Sequence, residues 1–235
     1  MADSTDPFVL ALNTLTSPAL AEIVGLSLGV SLTAVAVAVV VGFPLGGALA
    51  LYRFPGRGAL TVVVNALMGL PPVVVGLLVY LMLSRSGPLG VFGLLFTPTA
   101  MIIAQVVLVL PITAALSRQV VEDLWREYEE QLRSLGCGTF DSLLLCLWDG
   151  RHALVTAALA GFGRASAEVG AVMIVGGNID HVTRTMTTAI ALETSKGDLA
   201  LALALGAVLM TVSLSVNIAA ALVRRDIRHR EEATR

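Results

Sequence analysis

The sequence predicts an all-α polytopic membrane protein, a helix bundle with about five transmembrane helices. Three observations carry that expectation. Of the 235 residues, 56% are hydrophobic and only 14% charged, with a mean hydropathy of +0.86; a soluble domain carries about 25% charged residues. The charges are also widely spaced. Uncharged runs of 30 residues separate Glu22 from Arg53, 27 separate Arg57 from Arg85, 32 separate Arg85 from Arg118, and 25 separate Asp198 from Arg224. A helix needs roughly 20 apolar residues to cross the hydrocarbon core, so each run holds one span. Finally, the alternating ten-residue segments of a membrane barrel are missing, and an isolated segment in lipid must bond its own backbone as a helix. The same composition excludes a water-soluble enzyme and a disordered chain. A formal net charge of −2 excludes a nucleic-acid partner held by bulk charge.

In chain order, the stretch from Met1 to Pro18 is acidic and turn-rich, with Asp3, Asp6, Pro7, Asn13 and Pro18. It lacks the basic region of a signal peptide, so the first span is expected to be retained. Spans are predicted over residues 21–51, 60–83, 97–116, 153–175 and 199–223, all within a single domain, 1–235. Arg164 and Glu168 interrupt the fourth. Pro71-Pro72 and Pro111 fall inside the second and third, where neighbouring helices or a cavity must satisfy the freed carbonyls. A kinked helix lining a pathway and a static kink both fit. Gly25-x-x-x-Gly29 and Gly42-x-x-x-Gly46 in the first span permit close helix approach.

Lys and Arg counts set the orientation. With the Arg53–Arg57 connection inside, that side also receives Arg118, Arg126, Arg133, Arg151, Arg224, Arg225, Arg228, Arg230 and Arg235, eleven in all. The other side holds three, Arg85, Arg184 and Lys196. The amino terminus is therefore expected outside and the carboxyl terminus in the cytoplasm. Residues 117–152 become a cytoplasmic loop, where the thiols of Cys137 and Cys146 stay reduced. Neither has a C-x-x-C partner and His152 is the only histidine nearby, so no metal is expected. G-x-x-x-x-G-K-[ST], G-x-S-x-G and H-E-x-x-H are absent. Gly161-Phe162-Gly163 lies in an apolar helix rather than after a strand, so it is no dinucleotide fingerprint. The expectation is a chain without cofactor or covalent chemistry.

The loop reads Glu127-Tyr128-Glu129-Glu130-Gln131-Leu132-Arg133-Ser134-Leu135-Gly136-Cys137-Gly138, then Thr139 to Trp148. This pattern predicts two short helices lying on the membrane surface, with a tight bend at Gly136–Gly138. Phe140, Leu143, Leu144 and Leu147 are expected on one face. An amphipathic connector with no partner fits the pattern as well.

At these residues the chain resembles the type I permeases of ABC importers, in whose coupling loop a Glu is followed six residues later by Gly. The matching positions are Glu130 and Gly136. The family's Glu-Ala-Ala opening is here Glu130-Gln131-Leu132, and its closing Leu-Pro is replaced by Trp148-Asp149. The run from Ala160 to Ile179 resembles the oxyanion branch of that family. Thr183 to Thr194 is similar to its tungstate-type members, relatives of the molybdate and sulfate permeases. The resemblance spans residues 20–223 and implies a bundle with a cytoplasmic coupling-helix loop. It also implies ATP-driven import of a tetrahedral oxyanion: tungstate first, molybdate or sulfate as alternatives. Implied partners are a second copy forming a homodimer, an external oxyanion-binding protein, and cytoplasmic ATPase subunits that perform the hydrolysis. These ATPases would grip Glu130, Leu135, Gly136, Cys137 and Gly138. The implied setting is the lipid of a bacterial-type inner membrane.

Candidates for the pathway follow from chemistry. Arg164 and Glu168 lie four apart, which is expected to place them on one helical face. At mid-span each isolated charge costs at least roughly 2.5–3.5 kcal/mol, so a pathway element and a structural ion pair are both affordable. Asn178, Thr183, Arg184 and Thr185, with Thr187 and Thr188, supply hydroxyls and a guanidinium suited to an oxyanion. A solvated loop capping a helix, or a docking face, fits them too. Two other classes stay open: an ion-gradient secondary transporter and a membrane scaffold. The first often shows internal repeats and several intramembrane acids, whereas this chain shows no repeat and one such acid, Glu168.

Overall fold

The computed structural model describes residues 18–233 of the chain. Asp3, Asp6, Pro7, Asn13 and Arg235 lie outside the described residues, and the side chains of Arg224, Arg225, Arg228 and Arg230 are likewise outside. Among the described residues there are nine α-helices and no strand: α1 Pro18–Leu51, α2 Arg57–Leu67, α3 Pro72–Leu83, α4 Pro98–Ser134, α5 Thr139–Asp149, α6 Arg151–Ser166, α7 Gly170–Gly176, α8 Met186–Lys196 and α9 Leu199–Ala233. Three of them, α1, α4 and the Leu199–Ala219 part of α9, are long and apolar enough to cross a membrane singly. The pairs α2–α3 and α5–α6 meet the same test only as broken spans, for a total of three to five.

Proline decides where one break falls. Pro72 disfavours the helical conformation at the residue before it, and Pro71 is extended, with φ −64° and ψ 122°. The predicted second span is therefore two helices, α2 and α3. Pro44 and Pro111, by contrast, sit inside α1 and α4 without ending them. The predicted fourth span is also split: α6 stops at Ser166 and α7 begins at Gly170. At 16 residues, α6 falls short of the roughly 20 that a straight crossing needs.

Contacts gather into two compact units. Of the described residues, the second comprises 34–70, 106–165 and 218–233, and its core is the close packing of α1 on α4. A side chain at Gly42 would collide with Thr113, one at Gly46 with the Ala114 carbonyl, and one at Gly47 with Leu143. The hydroxyls of Thr113 and Ser117 donate across this seam to the Ala38 and Phe43 carbonyls, at 2.9 and 3.0 Å. The first small-residue motif behaves differently. Gly25 and Gly29 have nothing within 4 Å, so the close approach expected there is not made by the described chain.

Of the described residues, the first unit comprises 18–33, 71–105 and 166–217. It is organised around α7, whose Ala171, Val172, Val175 and Gly176 are buried. Gly76 of α3 lies against the Ala171 backbone, and Met101 of α4 covers Gly176. The Phe96 N–H donates to the Val175 carbonyl at 2.9 Å. Leu20, Ala189 and Leu205 join α1, α8 and α9 in a small apolar cluster.

Candidate functional site

In the second unit the loop expected as two short helices is built otherwise. Its first half is the end of α4, one helix of 37 residues that runs on to Ser134. Acid–base pairs four residues apart, Arg118–Glu122, Glu122–Arg126 and Glu129–Arg133, support that extension. The helix then ends in a Schellman turn. The Gly136 N–H donates to the Arg133 carbonyl and the Cys137 N–H to the Leu132 carbonyl, each at 3.0 Å. Gly136 takes φ +74°, the left-handed geometry in which glycine is favoured.

α5 follows, and its apolar residues divide between two faces instead of sharing one. Leu143 and Cys146 are buried against Ala50, Leu51 and Val121, with Leu147 packed beside them. Phe140 (61% exposed), Leu144 (51%) and Trp148 (72%), spaced by four, point outward. The split arises because α4 and the end of α1 cover only one side of α5. α5 and α6 meet at a 72° bend at Gly150, which packs on Val120 and Leu124. Tyr128 pins this corner by donating to Asp149 Oδ2 at 3.0 Å. Arg151 lies 5.1 Å from the centre of the Trp148 ring.

Glu130, Leu135, Gly136, Cys137 and Gly138 are therefore all exposed on or beside one bend. A cleft of about 360 Å³ opens next to them, bounded by Tyr52, Arg53, Trp125, Arg133 and Thr139. One group escaped the sequence reading. Arg57, the first residue of α2, donates to the Leu49 and Ala50 carbonyls at the end of α1, at 2.6 and 2.9 Å. Its Nη2 also stands 3.9 Å from Glu122, which pairs with Arg118 and Arg126 as well. The i, i+4 spacing of Arg118, Glu122 and Arg126 was the available signal; nothing local pointed to Arg57.

In the first unit, Glu168 lies beyond the end of α6, so it does not share a helical face with Arg164. The helix stops because Glu168 serves the next one: its Oε1 accepts the Ala171 N–H at 3.0 Å, satisfying a donor at the start of α7. Glu168 is 4% exposed, and hydrogen bonding of this kind is what makes a buried carboxylate tolerable. Arg164 is half-buried in the last turn of α6, where a cation complements the helix dipole.

The threonine run joining α7 to α8 is buried rather than solvated. Thr183 donates to the Gly176 carbonyl at 2.6 Å and accepts the Ile179 N–H at 2.9 Å. The Thr188 hydroxyl accepts the Thr185 N–H at 2.9 Å, and the Thr185 and Thr188 side chains complete a capping box on α8. Thr187 donates to the Glu168 carbonyl at 3.0 Å. Irregular backbone away from solvent needs such partners, and short hydroxyl side chains reach them.

Asn178 and His181 hold left-handed φ values of 50° and 57° in this connection. Asn178 Oδ1 and Arg184 Nε are buried with no hydrogen-bond partner among the described residues. Arg184 also pairs with Asp180 at 2.8 Å. His181 Nδ1 lies 2.8 Å from Glu22 of α1, and that carboxylate raises the imidazole pKa above its ordinary 6.5. Among the described residues, no group of three or more His, Cys, Asp or Glu is placed to hold a metal ion.

Residues 38–229 match the family described as the inner membrane component of binding-protein-dependent transport systems. The chain belongs to that family. The permease is 43% identical over 221 residues to a probable anion ABC transporter permease protein of Haloferax volcanii, covering 92% of this chain and 95% of that one. It is 42% identical over 200 residues to the tungstate uptake system permease protein TupB of Peptoclostridium acidaminophilum, covering 85% and 88%. With TupB of Campylobacter jejuni it shares 39% over 166 residues, covering 71% and 70%. Sulfate and molybdenum transport permeases match at 27–30%. The permease is thus a multi-pass membrane transport component with an all-α fold.

Proposed function

We propose that this permease is the membrane-spanning subunit of an ATP-driven importer for a tetrahedral oxyanion, with tungstate as the preferred substrate. The likeness over most of the chain to tungstate uptake permeases supports the substrate class. The observation that carries the working arrangement is the outward apolar face of α5, Phe140, Leu144 and Trp148, set beside the Gly136 turn. Apolar side chains on a charged, exposed arm suit a protein partner. That partner is a separate cytoplasmic ATPase, gripping Glu130, Leu135, Gly136, Cys137 and Gly138. Two copies of the permease line the pathway and an external binding protein delivers the anion. The imbalance of eleven basic residues against three supports an amino terminus outside and a carboxyl terminus in the cytoplasm.

Arg164, Asn178 and Arg184 are the polar candidates for contact with the passing anion. Thr183, Thr185 and Glu168 form the shell that shapes the connection. A conducted ion must bind weakly enough to leave, which suits a few scattered donors better than a cationic cage.

The deciding experiment reconstitutes the permease with its ATPase and binding protein and measures hydrolysis and uptake with tungstate, molybdate or sulfate. Tungstate is expected to stimulate both at the lowest concentration. Equal response without any oxyanion would sink the importer reading, and preference for molybdate or sulfate would replace the substrate. Topology is read separately. Cys137 is exposed and Cys146 buried, so a thiol label should reach Cys137 only from the cytoplasmic side, and Ser195→Cys only from outside.

A further inference from the structure

We infer that Glu122 is a positioning residue that locks the coupling arm to the corner between α1 and α2, so that movement of the arm is passed to α1. The inference rests on the importer reading and adds a residue to it. Three arginines stand near Glu122, but they do different work. Arg118 and Arg126 lie one turn before and after it on the same helix, and such pairs hold only the helix itself. Arg57 comes from α2. Its guanidinium reaches the Leu49 and Ala50 carbonyls, two of the acceptors that the end of α1 leaves open. One planar fork thus touches the end of α1 and the acid of α4 while belonging to α2, a bridge that lysine's point charge cannot reproduce.

The placement explains why an acid is needed there. Glu122 and Arg118 are mostly shielded, with side chains 27% and 15% exposed. Without the carboxylate, Arg57 and Arg118 would face each other's charge in a partly dry corner. Further along the same arm, Tyr128 fixes the α5–α6 bend through Asp149, and Gly150 seats that bend on Val120 and Leu124. The end of α4, α5 and the start of α6 are therefore tied together, and Arg57–Glu122 is the ionic tie from this block to the α1–α2 corner among the described residues. A displacement of α5 by a bound ATPase presses on α1 through the packing of Leu143 and Cys146 on Ala50 and Leu51, and the Arg57–Glu122 pair holds the α1–α2 corner to the arm as it moves.

Glu122→Gln in the complete reconstituted complex tests this by the anion transported per ATP hydrolysed. The ratio is expected to fall by about fivefold, the order that one partly shielded ion pair supplies. Arg126→Gln removes only the same-helix partner and is expected to keep the wild-type ratio; Glu122→Asp keeps the charge and is expected to recover most of the loss. A wild-type ratio in Glu122→Gln, or an equal loss in Arg126→Gln, overturns the inference. If the variant complex does not assemble, hydrogen exchange on the intact permease decides: faster exchange over Tyr52–Gly58 in Glu122→Gln supports the tie, and unchanged exchange overturns it. A wild-type complex that fails to respond to any oxyanion would instead defeat the importer reading, a result the exchange measurement does not depend on.

Discussion

Two segments of this permease reverse the usual sorting of side chains, and in opposite senses. On α5, Phe140, Leu144 and Trp148 stand exposed although they are apolar. In the α7–α8 connection and the first turn of α8, Thr183, Thr185, Thr187 and Thr188 are buried although they are polar. The threonines have every reason to be inside, because each hydroxyl meets a backbone group or a neighbouring hydroxyl. Among the described residues Phe140 and Leu144 are left uncovered, and Trp148 has Arg151 beside its ring. A buried group that is satisfied explains itself through folding, whereas an exposed apolar group on a charged arm points to a partner. The two segments therefore divide stability from function, and substitutions in each should have separable effects.

The largest effect is expected where burial is complete. Thr183→Val strands both the Gly176 carbonyl and the Ile179 N–H, which should cost roughly 2–6 kcal/mol at about 1–3 for each unmet group. Thermal unfolding of the purified permease would show it, and an unchanged midpoint would mean that the connection is not the rigid element described. On the inner side of α5, Leu143→Ala should cost a similar 2–5 kcal/mol by opening a cavity beside Gly47 and Val121.

The outer side of α5 should answer differently. Phe140→Ala combined with Leu144→Ala is expected to change permease stability by only about 0.5 kcal/mol per site. ATPase recruitment should nevertheless weaken by at least about 2 kcal/mol, roughly thirtyfold, as for anchors at the centre of an interface. Pull-down of the ATPase by detergent-solubilised permease measures this; unimpaired recruitment would return α5 to a connector. Gly136→Val comes next. A β-branched residue forced to φ +74° costs about 1–3 kcal/mol, and the expected outcome is an inserted permease with lost coupling between hydrolysis and uptake. Normal transport in that variant would show that the Schellman turn is not needed.

The smallest effect concerns the rim of the threonine connection. Because Glu22 raises the His181 pKa above 6.5, their attraction stabilises the folded state fully below the unfolded value. It is lost as pH rises through the raised one. Both side chains are well exposed, so the expected signature is a slight fall in unfolding temperature on moving from mildly acidic to alkaline pH, absent in Glu22→Gln. An identical slope in that variant would remove the pair from the account.

Much of this was legible in the residues. The uncharged runs located the apolar helices, the glycine pair at Gly136 and Gly138 located the turn, and Glu130 and Gly136 carried the family resemblance. Long apolar stretches and glycine turns are local properties, so periodicity and residue type reveal them. Two features were not legible. The apolar stretch around Arg164 and Glu168 does not disclose that α6 stops at Ser166, because the reason lies in the capping of α7 by Glu168. The faces of α5 could not be told apart, since helical spacing groups apolar residues without saying which of them a neighbour covers.

By itself, then, the sequence determined the class of protein, the number of apolar stretches and the position of the bend, because these follow from transfer into lipid and from backbone freedom residue by residue. Only the tertiary structure decided which small-residue motif is packed, Gly42 and Gly46 against α4 rather than Gly25 and Gly29, and which arginine meets Glu122 from outside its own helix. Those outcomes depend on what stands opposite a residue, and the partners involved, Arg57 and Glu122 or Gly42 and Thr113, lie more than sixty positions apart in the chain. Spacing along one helix carries no information about such a meeting; the close approach of two helices does.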